Sequence, residues 1–273
     1  RDLRHRHEDD LQLGEAGVLR QGNFNVLRLQ PIKFLSRPGP IYFVTTAAEW
    51  RITVSNPAPR IENPSSAFLN QYKSLFINAD EILPPTAQRT ASANAGATML
   101  VVLHTDMLPD FLPYYDWKRR MGHDLRLSFT DVLGAAPTPA MIQQLVQDEF
   151  DAWQPEYVLL VGDVGYIPAA SGNSGSLTDH NYACPAGNDF LADLIIARMS
   201  VNTPLELQAY ITKLMQYEQT LVPGDWHTHS LTFGSSDGID DQHAIDMDYF
   251  FTANGFQSDV FRDSWGYDLR PTA

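Results

Sequence analysis

Hydrophobic and polar positions alternate in two different ways along the chain, and the change falls near residue 96. Between Asn23 and about residue 60, apolar residues recur at every second position in short stretches that proline-rich segments interrupt. This period of two is typical of short antiparallel strands joined by turns. We therefore predict a small β-rich unit over residues 23–60, preceded by a polar, solvated lead-in over residues 1–22.

Two further segments separate this unit from the rest of the chain. Residues 64–83 have a weak helical pattern, and residues 84–98 are rich in Pro, Ala, Ser, Thr and Asn, as linkers are. We predict a domain boundary near residue 96. It divides the chain into an N-terminal segment with its linker over residues 1–95 and a second domain over residues 96–273.

From residue 96 onward, apolar runs typical of buried strands alternate with segments of helical periodicity. The predicted strands cover residues 99–104, 124–129, 157–161, 191–197, 230–234 and 259–261. The predicted helices cover residues 108–121, 139–153, 204–221 and 246–254, with Thr138 as the N-cap of the second. Strand and helix in alternation predict an α/β fold with a parallel sheet and right-handed crossovers.

Composition narrows the class of protein. Apolar residues make up 44% of the 273 positions and charged residues 19%, which indicates a folded globular chain. A net charge of -14 disfavours nucleic acid and anionic membranes as partners and suits cation binding or high solubility. No apolar run approaches the roughly 20 residues that span a bilayer. Cys184 is the only cysteine, so no internal disulfide forms.

Carboxylates near two predicted strands are candidates for a metal site. Asp163 follows the buried run that begins at Tyr157, and Asp189, Leu191 and Asp193 alternate further along the chain. In an extended segment, alternation places both carboxylates on one side, and Asp163 could converge on them from the neighbouring strand. Hard oxygen donors of this kind suit calcium. The alternative is a solvated acidic loop.

A second acidic group, residues 236–241, follows the strand predicted over residues 230–234. At the carboxyl end of a strand it can supply an anionic pocket for a cationic substrate group. Carboxylates in such a turn also suit the positive end of the next helix dipole, which is the alternative interpretation.

Nucleophilic catalysis has one candidate among the residues. Cys184 lies four positions after His180 in a turn-like stretch, but no nucleophile-elbow pattern surrounds it, and a non-catalytic role is favoured. His227 and His229 could bind a transition metal from one side of a strand. With no third ligand nearby, two solvated histidines are the favoured interpretation.

The region from Met99 onward resembles the gingipain-like cysteine peptidases, the C25 family. The matching stretches agree in order and approximate spacing: Trp117-Lys-Arg119 with Met121-Gly122, Ile142-Gln-Gln144, Tyr157 to Asp163 with Ile167-Pro168, Thr178-Asp179 with Tyr182, Gly187-Asn-Asp189, Ile196-Ala-Arg-Met-Ser200, and Tyr217-Glu218. The β-rich part before residue 60 is also similar to the family's N-terminal pro-region. The resemblance implies a caspase-like α/β sheet flanked by helices, incomplete in this chain, and endopeptidase activity by a Cys/His pair.

The resemblance also implies roles for particular residues. In the family the histidine lies in a Gly-His-Gly turn, which the 273 residues lack, so we expect the catalytic pair to lie beyond Ala273. The implied site residues are the calcium ligands Asp163, Asp189, Asp193 and the carbonyls of Leu191 and Ala186, a second calcium site at His243, and Asp240 for a basic substrate side chain.

The sequence therefore leaves two alternative hypotheses for the function. The first is the N-terminal part of a secreted or cell-surface cysteine endopeptidase that holds structural calcium and acts on protein or peptide substrates. The second is a non-catalytic, calcium-stabilised binding or secretion module on the same fold. A generic doubly wound protein that binds a small ligand is disfavoured, because no Gly-rich phosphate loop follows any predicted strand.

Overall fold

The structure, a computed structural model, describes residues 11–20, 22–29, 32–35, 41–44, 61, 66–83, 96–220, 222–236 and 239–262. The chain divides into two compact units, Arg1–Thr212 and Lys213–Ala273. The strands are β1 Leu11–Leu19, β2 Gly22–Leu29, β3 Ile32–Leu35, β4 Ile41–Val44, β5 Thr98–Leu103, β6 Asp124–Phe129, β7 Tyr157–Val161, β8 Ala170–Ser171, β9 Leu177–Thr178, β10 Ile195–Met199, β11 His229–Gly234 and β12 Gln257–Arg262. The helices are α1 Ser66–Leu75, α2 Ala79–Ile82, α3 Leu108–Arg120, α4 Pro139–Trp153, α5 Pro204–Gln219 and α6 Asp240–Ala253.

A four-stranded parallel sheet in the order β10-β7-β5-β6 is the centre of the first unit. The chain adds β6 on one side of β5 and then returns to the other side for β7. The carboxyl ends of β5 and β7 therefore form a topological switch point, where open α/β sheets bind ligands. The predicted fold class, an α/β protein with a parallel sheet flanked by helices, is confirmed.

Alternate positions of the central strands pack into a core beneath α4. Leu100 and Val102 of β5 and Leu160 of β7 are fully buried, together with Ile142 and Val146 of α4. Each such side chain contributes about 1.5–3 kcal/mol by leaving water. The intervening positions of β5 are buried as well, which is why these strands read in the sequence as continuous apolar runs rather than as alternation.

The ends of α4 follow from local sequence. Thr138 accepts the N–H of Met141 on its Oγ1 at 3.4 Å and Pro139 occupies the first turn, as predicted. The helix ends at Gln154, whose φ of 51° lies in the left-handed region. This ending delivers Pro155 directly to the amino end of β7.

The N-terminal hairpin corrects one prediction. β1 and β2 pair antiparallel around a tight turn that contains Arg20, so the predicted solvated lead-in over residues 1–22 is wrong for residues 11–20. Leu19 is fully buried in a small core with Phe68 and Tyr72 of α1, and the Tyr72 hydroxyl donates to the Leu19 carbonyl at 3.1 Å. The β-rich unit predicted over residues 23–60 is described only at β2, β3 and β4.

The starts of two elements differ from prediction by four residues or more. β10 begins at Ile195 rather than Leu191, because the backbone N–H groups of Asp193 and Leu194 both donate to the Ala183 carbonyl, at 2.7 and 3.1 Å, instead of to a strand. α6 begins at Asp240 rather than Asp246, with two aspartates in its first turn. The predicted boundary at residue 96 stays a prediction.

The second unit is smaller. β11 and β12 form a two-stranded parallel sheet, and α6 connects them as the crossover helix. Ala244 of α6 packs against Gly234, where an added Cβ would lie 2.8 Å from the Ala244 Cβ. Among the described residues of the whole chain, no helix is both long enough and apolar enough to cross a membrane.

Candidate functional site

The carboxyl end of β7 carries Gly162 and Asp163 into a tight turn. Gly162 has a φ of 138°, and a Cβ there would approach the Tyr166 Cβ to 2.8 Å, so glycine is required. The Asp163 carbonyl accepts the N–H groups of Tyr166 and Ile167, both at 2.9 Å. Its half-buried carboxylate lies 3.4 Å from the Asn202 amide nitrogen. The turn presents Asp163 at the edge of the sheet where ligands bind.

Arg198 of β10 holds this turn in place. Its Nε and Nη2 donate to the two carboxylate oxygens of Asp179, at 2.8 and 2.6 Å. Its Nη1 donates to the carbonyls of Gly162 and Ile167, both at 2.8 Å. The Arg198 side chain is only 10% exposed and that of Asp179 24%, so this bidentate pair is shielded from water. Arg198 thus links two loops at the carboxyl edge, the Gly162–Ile167 turn and the loop that carries Asp179.

Asp189 and Asp193 lie together at the opposite, amino edge, against the N-terminal hairpin. Asp189 accepts the N–H of Val18 at 2.8 Å, and Asp193 accepts the N–H of Arg20 at 2.5 Å. The second oxygen of each carboxylate accepts an N–H from its own loop, that of Leu191 at 2.9 Å and that of Ala186 at 2.8 Å. Both carboxylates contact the same hairpin, but residues 189–193 do not form the extended strand from which the alternation argument started, since β10 begins at Ile195.

Burial changes the ionisation of Asp193. Its side chain is completely inaccessible to water. Burial raises the pKa of Asp193, and the N–H bonds from Arg20 and Ala186 act in the opposite direction. Two N–H groups satisfy the carboxylate, and the charge of the nearby Arg20 guanidinium also favours its ionised form.

The predicted calcium ligands do not form one site. Tyr157 lies opposite Ile195 in the parallel pairing of β7 and β10, so Asp193 precedes that pairing and Asp163 follows it. The length of β7 separates the two carboxylates by roughly 20 Å at about 3.3 Å per residue. Among the described residues, no group of three or more His, Cys, Asp and Glu is arranged to hold a metal ion. Asp163 therefore does not fit the ligand set of Asp189 and Asp193.

Cys184 and His180 are close but not poised for catalysis. The Cys184 sulfur lies 3.5 Å from His180 Nε2, and the same nitrogen lies 2.8 Å from the Phe190 carbonyl oxygen. Burial, followed by the nearby charges of Asp193 and Asp189, raises the pKa of the Cys184 thiol to about 11. A thiol of that pKa stays protonated near neutrality and is a poor nucleophile.

Within the second unit, Asp240 and Asp241 lie in the first turn of α6, after the carboxyl end of β11. Asp240 is exposed and accepts the Ser235 hydroxyl at 2.9 Å, whereas Asp241 is half-buried and lies 3.1 Å from Arg262 Nη2. Acidic side chains suit this end of a helix dipole, which was the alternative interpretation of the acidic group. His243 is exposed on the same helix.

His227 and His229 have separate surroundings. The His227 ring stacks on Trp226 with ring centroids 3.8 Å apart. His229 Nε2 lies 2.8 Å from a carboxylate oxygen of Asp259 on β12. These contacts do not support a metal site formed by the two histidines.

Two arginines that organise the edges of the sheet had no predicted role. Arg198 lies within a stretch that carried the family resemblance, so its position was available from the sequence although its partners were not. Arg20 lies in the supposed lead-in, and its acceptors are 134 to 173 positions away. No local pattern could have found it.

Comparison with known proteins gives a family and a fold. A family model described as "Peptidase family C25" matches residues 92–266. Gingipain R2 of Porphyromonas gingivalis is 25% identical over 234 residues, a match that covers 83% of this chain and 31% of the relative. Lys-gingipain of the same organism is 26% identical over 135 residues, which cover 48% of this chain and 8% of the relative. The chain spans less than one third of the length of these relatives.

Solved structures agree with this result. The crystal structure of the Arg-specific cysteine proteinase gingipain R superposes with a TM-score of 0.53 and 26% identity, covering 62% of this chain and 41% of that one. The matched fold, an α/β domain with a parallel sheet, is the one described above.

Proposed function

The chain belongs to peptidase family C25, and from that premise we propose that it is the N-terminal part of a gingipain-like cysteine endopeptidase. The observation that carries the proposal is the family match over residues 92–266, which includes both loops at the carboxyl edge of the sheet. Cysteine-type peptidase chemistry is the activity of the family. For this protein, endopeptidase cleavage is the proposal.

The chain's own residues supply scaffold rather than nucleophile. Arg198 fixes the Gly162–Ile167 turn at the switch point, and Cys184, with its raised pKa, is unsuited to attack a carbonyl. We propose that a cysteine thiolate downstream of Ala273 attacks the scissile carbonyl and that a histidine there handles the proton. The protein or peptide substrate would then lie across the carboxyl edge of the sheet.

Asp240 is our proposal for the group that receives a basic substrate side chain. Its carboxylate is exposed after the carboxyl end of β11, which supports access by a cation. In the longer protein, Asp240→Asn should lower kcat/KM for arginine and lysine substrates about 100-fold and leave neutral substrates unchanged, as expected for loss of a charge-assisted contact. Equal cleavage of basic and neutral substrates by the unmodified protein would remove this assignment.

We propose structural calcium only for the segment over residues 186–193. The Asp189 and Asp193 oxygens each accept one N–H and keep a second lone pair, and Leu191 and Ala186 offer carbonyls. Calcium should raise the melting temperature, and Asp189→Ala should abolish the rise while Asp163→Ala preserves it. A rise that depends on Asp163 would contradict this assignment. The second ion proposed at His243 should be lost in His243→Ala.

The deciding experiment is to follow the source message beyond the codon for Ala273 and assay the longer polypeptide. Continuation into a Gly-His-Gly turn and a strand-end cysteine, with cleavage that an alkylating agent abolishes, supports the peptidase. A natural stop, or a longer protein that cleaves nothing, favours the non-catalytic binding or secretion module. Secretion or cell-surface location is proposed on the family resemblance and is tested by fractionating the producing cells.

A further inference from the structure

We propose that the end of α4 and the start of β10 form a guanidinium-binding site, and that Arg20 of the N-terminal hairpin is its intramolecular ligand. The ligand class is an arginine side chain presented by a tight turn, or a small alkylguanidinium when the arginine is removed. The site lies at the amino edge of the sheet, about one strand length from the carboxyl edge, and it is independent of the peptidase proposal.

The guanidinium is matched by main-chain carbonyls. Arg20 Nη1 donates to the carbonyls of Pro155 and Asp193, at 2.9 and 2.7 Å, and Nη2 donates to the Gln154 carbonyl at 2.9 Å. Three acceptors arranged around a planar fork suit a guanidinium and not an ammonium, whose three donors radiate from one point. The geometry therefore selects arginine over lysine.

One of these carbonyls, that of Gln154 at the end of α4, needs a donor from outside its own helix. An α-helix leaves its last carbonyls without intrahelical partners and has partial negative charge at that end. Basic side chains of a helix's own last turn often supply the compensation, but α4 has none there. Arg20 brings both the donors and the positive charge from a different part of the chain.

Aromatic rings enclose the cation. The Arg20 Cζ lies 4.6 Å from the centroid of the Phe68 ring and 5.5 Å from that of Phe150, and both rings are buried. Such faces attract a cation, and the attraction is stronger where water is excluded. Burial lowers the pKa of Arg20, yet a guanidinium stays charged at any physiological pH.

The backbone of the ligand is bound as well as its side chain. The N–H of Arg20 donates to the buried Asp193 carboxylate, and the N–H of Val18 donates to Asp189. Arg20 has a φ of 51°, a left-handed conformation in which glycine or asparagine is the usual residue. The tight turn between β1 and β2 favours this conformation, and the bonds of Arg20 to the site fix its side chain and its N–H within that turn.

The test removes the Arg20 side chain by mutation and then supplies a free guanidinium compound in solution. In the full chain carrying Arg20→Ala, the Val18 amide should exchange with deuterium about tenfold faster or more, while the β5 and β7 amides remain protected. Adding n-propylguanidinium should restore the protection of Val18, and n-propylammonium at the same concentration should not. Arg28→Ala, at an exposed arginine on the same hairpin, is the matched control and should exchange like the unmodified chain.

Three results would overturn the proposal. They are unchanged Val18 exchange in Arg20→Ala, no rescue by n-propylguanidinium, and equal rescue by n-propylammonium. If Arg20→Ala does not fold, Arg20→Lys decides the question: faster Val18 exchange supports a guanidinium site, and exchange equal to that of the unmodified chain shows that any cation suffices.

Discussion

The two edges of the parallel sheet are each fastened by one arginine, and the two arginines bind in opposite ways. At the carboxyl edge, Arg198 forms a bidentate ion pair with Asp179 and also donates hydrogen bonds to two carbonyls. The positive and negative charges therefore neutralise each other within this cluster. At the amino edge, the Arg20 guanidinium donates to carbonyls, while the Asp193 carboxylate accepts a backbone N–H. One edge is held by a direct ion pair; at the other, the guanidinium donates to main-chain carbonyls, with the charges of Glu156 and Asp193 nearby.

The difference corresponds to what each arginine connects. Arg198 ties loops that belong to the family region of the chain, whereas Arg20 attaches a hairpin that precedes it. A shielded ion pair is strongly coupled to the fold, because removing one partner strands the other charge. The Arg20 guanidinium donates to carbonyls, and the carboxylates of Glu156 and Asp193 act on it as nearby charges without a direct ion pair. The carboxyl edge is thus held by a direct, shielded ion pair, and the amino edge by a guanidinium on main-chain carbonyls.

Among the tests of this contrast, Arg198→Met has the largest expected effect. It should lower the free energy of unfolding by about 4 kcal/mol, because Asp179 and two carbonyls lose their donor in a shielded site. Urea denaturation followed by circular dichroism measures the change. Arg126→Met is the matched control. Arg126 is exposed on β6 and lies 3.9 Å from Glu149, so its loss should cost under about 1 kcal/mol. Equal losses in the two variants would show that Arg198 is an ordinary surface arginine.

A second test strains the carboxyl edge without touching any charge. Gly162→Ala should cost about 3 kcal/mol, because the residue has a φ of 138° and the new Cβ would meet Tyr166. Gly165→Ala in the same loop is the control, since its φ is ordinary and a Cβ there meets nothing within 4 Å. Thermal unfolding of the two variants side by side measures the difference. A stable Gly162→Ala would contradict the described turn.

A glycine substitution also tests the amino edge, with a smaller expected loss of stability. Gly187 has a φ of 76°, and its added Cβ would lie 2.9 Å from the Val18 Cβ on the hairpin. Gly175 has nearly the same φ, 79°, but open space around it. Gly187→Ala should therefore cost about 2 kcal/mol and Gly175→Ala about 1 kcal/mol, and the difference measures hairpin contact. Equal costs would mean that the hairpin does not press on this loop.

Much of the fold could be predicted from the sequence because its signals are local. The bounds of β6 and α4 agree with prediction, since six to fifteen consecutive residues carry the periodicity and Thr138 and Pro139 mark the helix start. β1 was missed for the opposite reason. β1 contains Gly14 and Gly17, and its pairing with β2 shifts register between Leu13 and Ala16, so its alternation is interrupted.

Some features of the candidate site could likewise be predicted from the sequence, and others could not. Asp189 and Asp193 both contact the hairpin, although the segment that carries them is not the strand on which the spacing argument relied. That Asp163 lies elsewhere was available, because in a parallel sheet a residue before one strand and a residue after its neighbour lie at opposite edges. The carbonyl partners of Arg20 could not have been predicted, because they depend on the position of the end of α4 relative to the hairpin in three dimensions.

The smallest predicted effect concerns pH and Asp193. Burial raises its pKa in the folded protein above the unfolded value of about 3.9, so the folded state binds the proton more tightly. The contribution of this group to stability is then fully present below pH 3.9 and declines as pH rises through the folded-state pKa. Asp193→Asn cannot titrate, so the stability of the unmodified protein relative to this variant should fall as the pH rises from 4 to 7.

Urea titrations of both proteins at the two pH values measure this change, and taking the difference between the proteins removes the contribution of titrating groups that do not interact with Asp193. Asn has one carbonyl oxygen for the two N–H groups of Arg20 and Ala186, so the variant also has a constant loss that does not depend on pH. A relative stability that rises with pH would mean that these two hydrogen bonds outweigh burial. The amino edge would then be held by a charged carboxylate, as the carboxyl edge is, and the contrast between the two arginines would disappear.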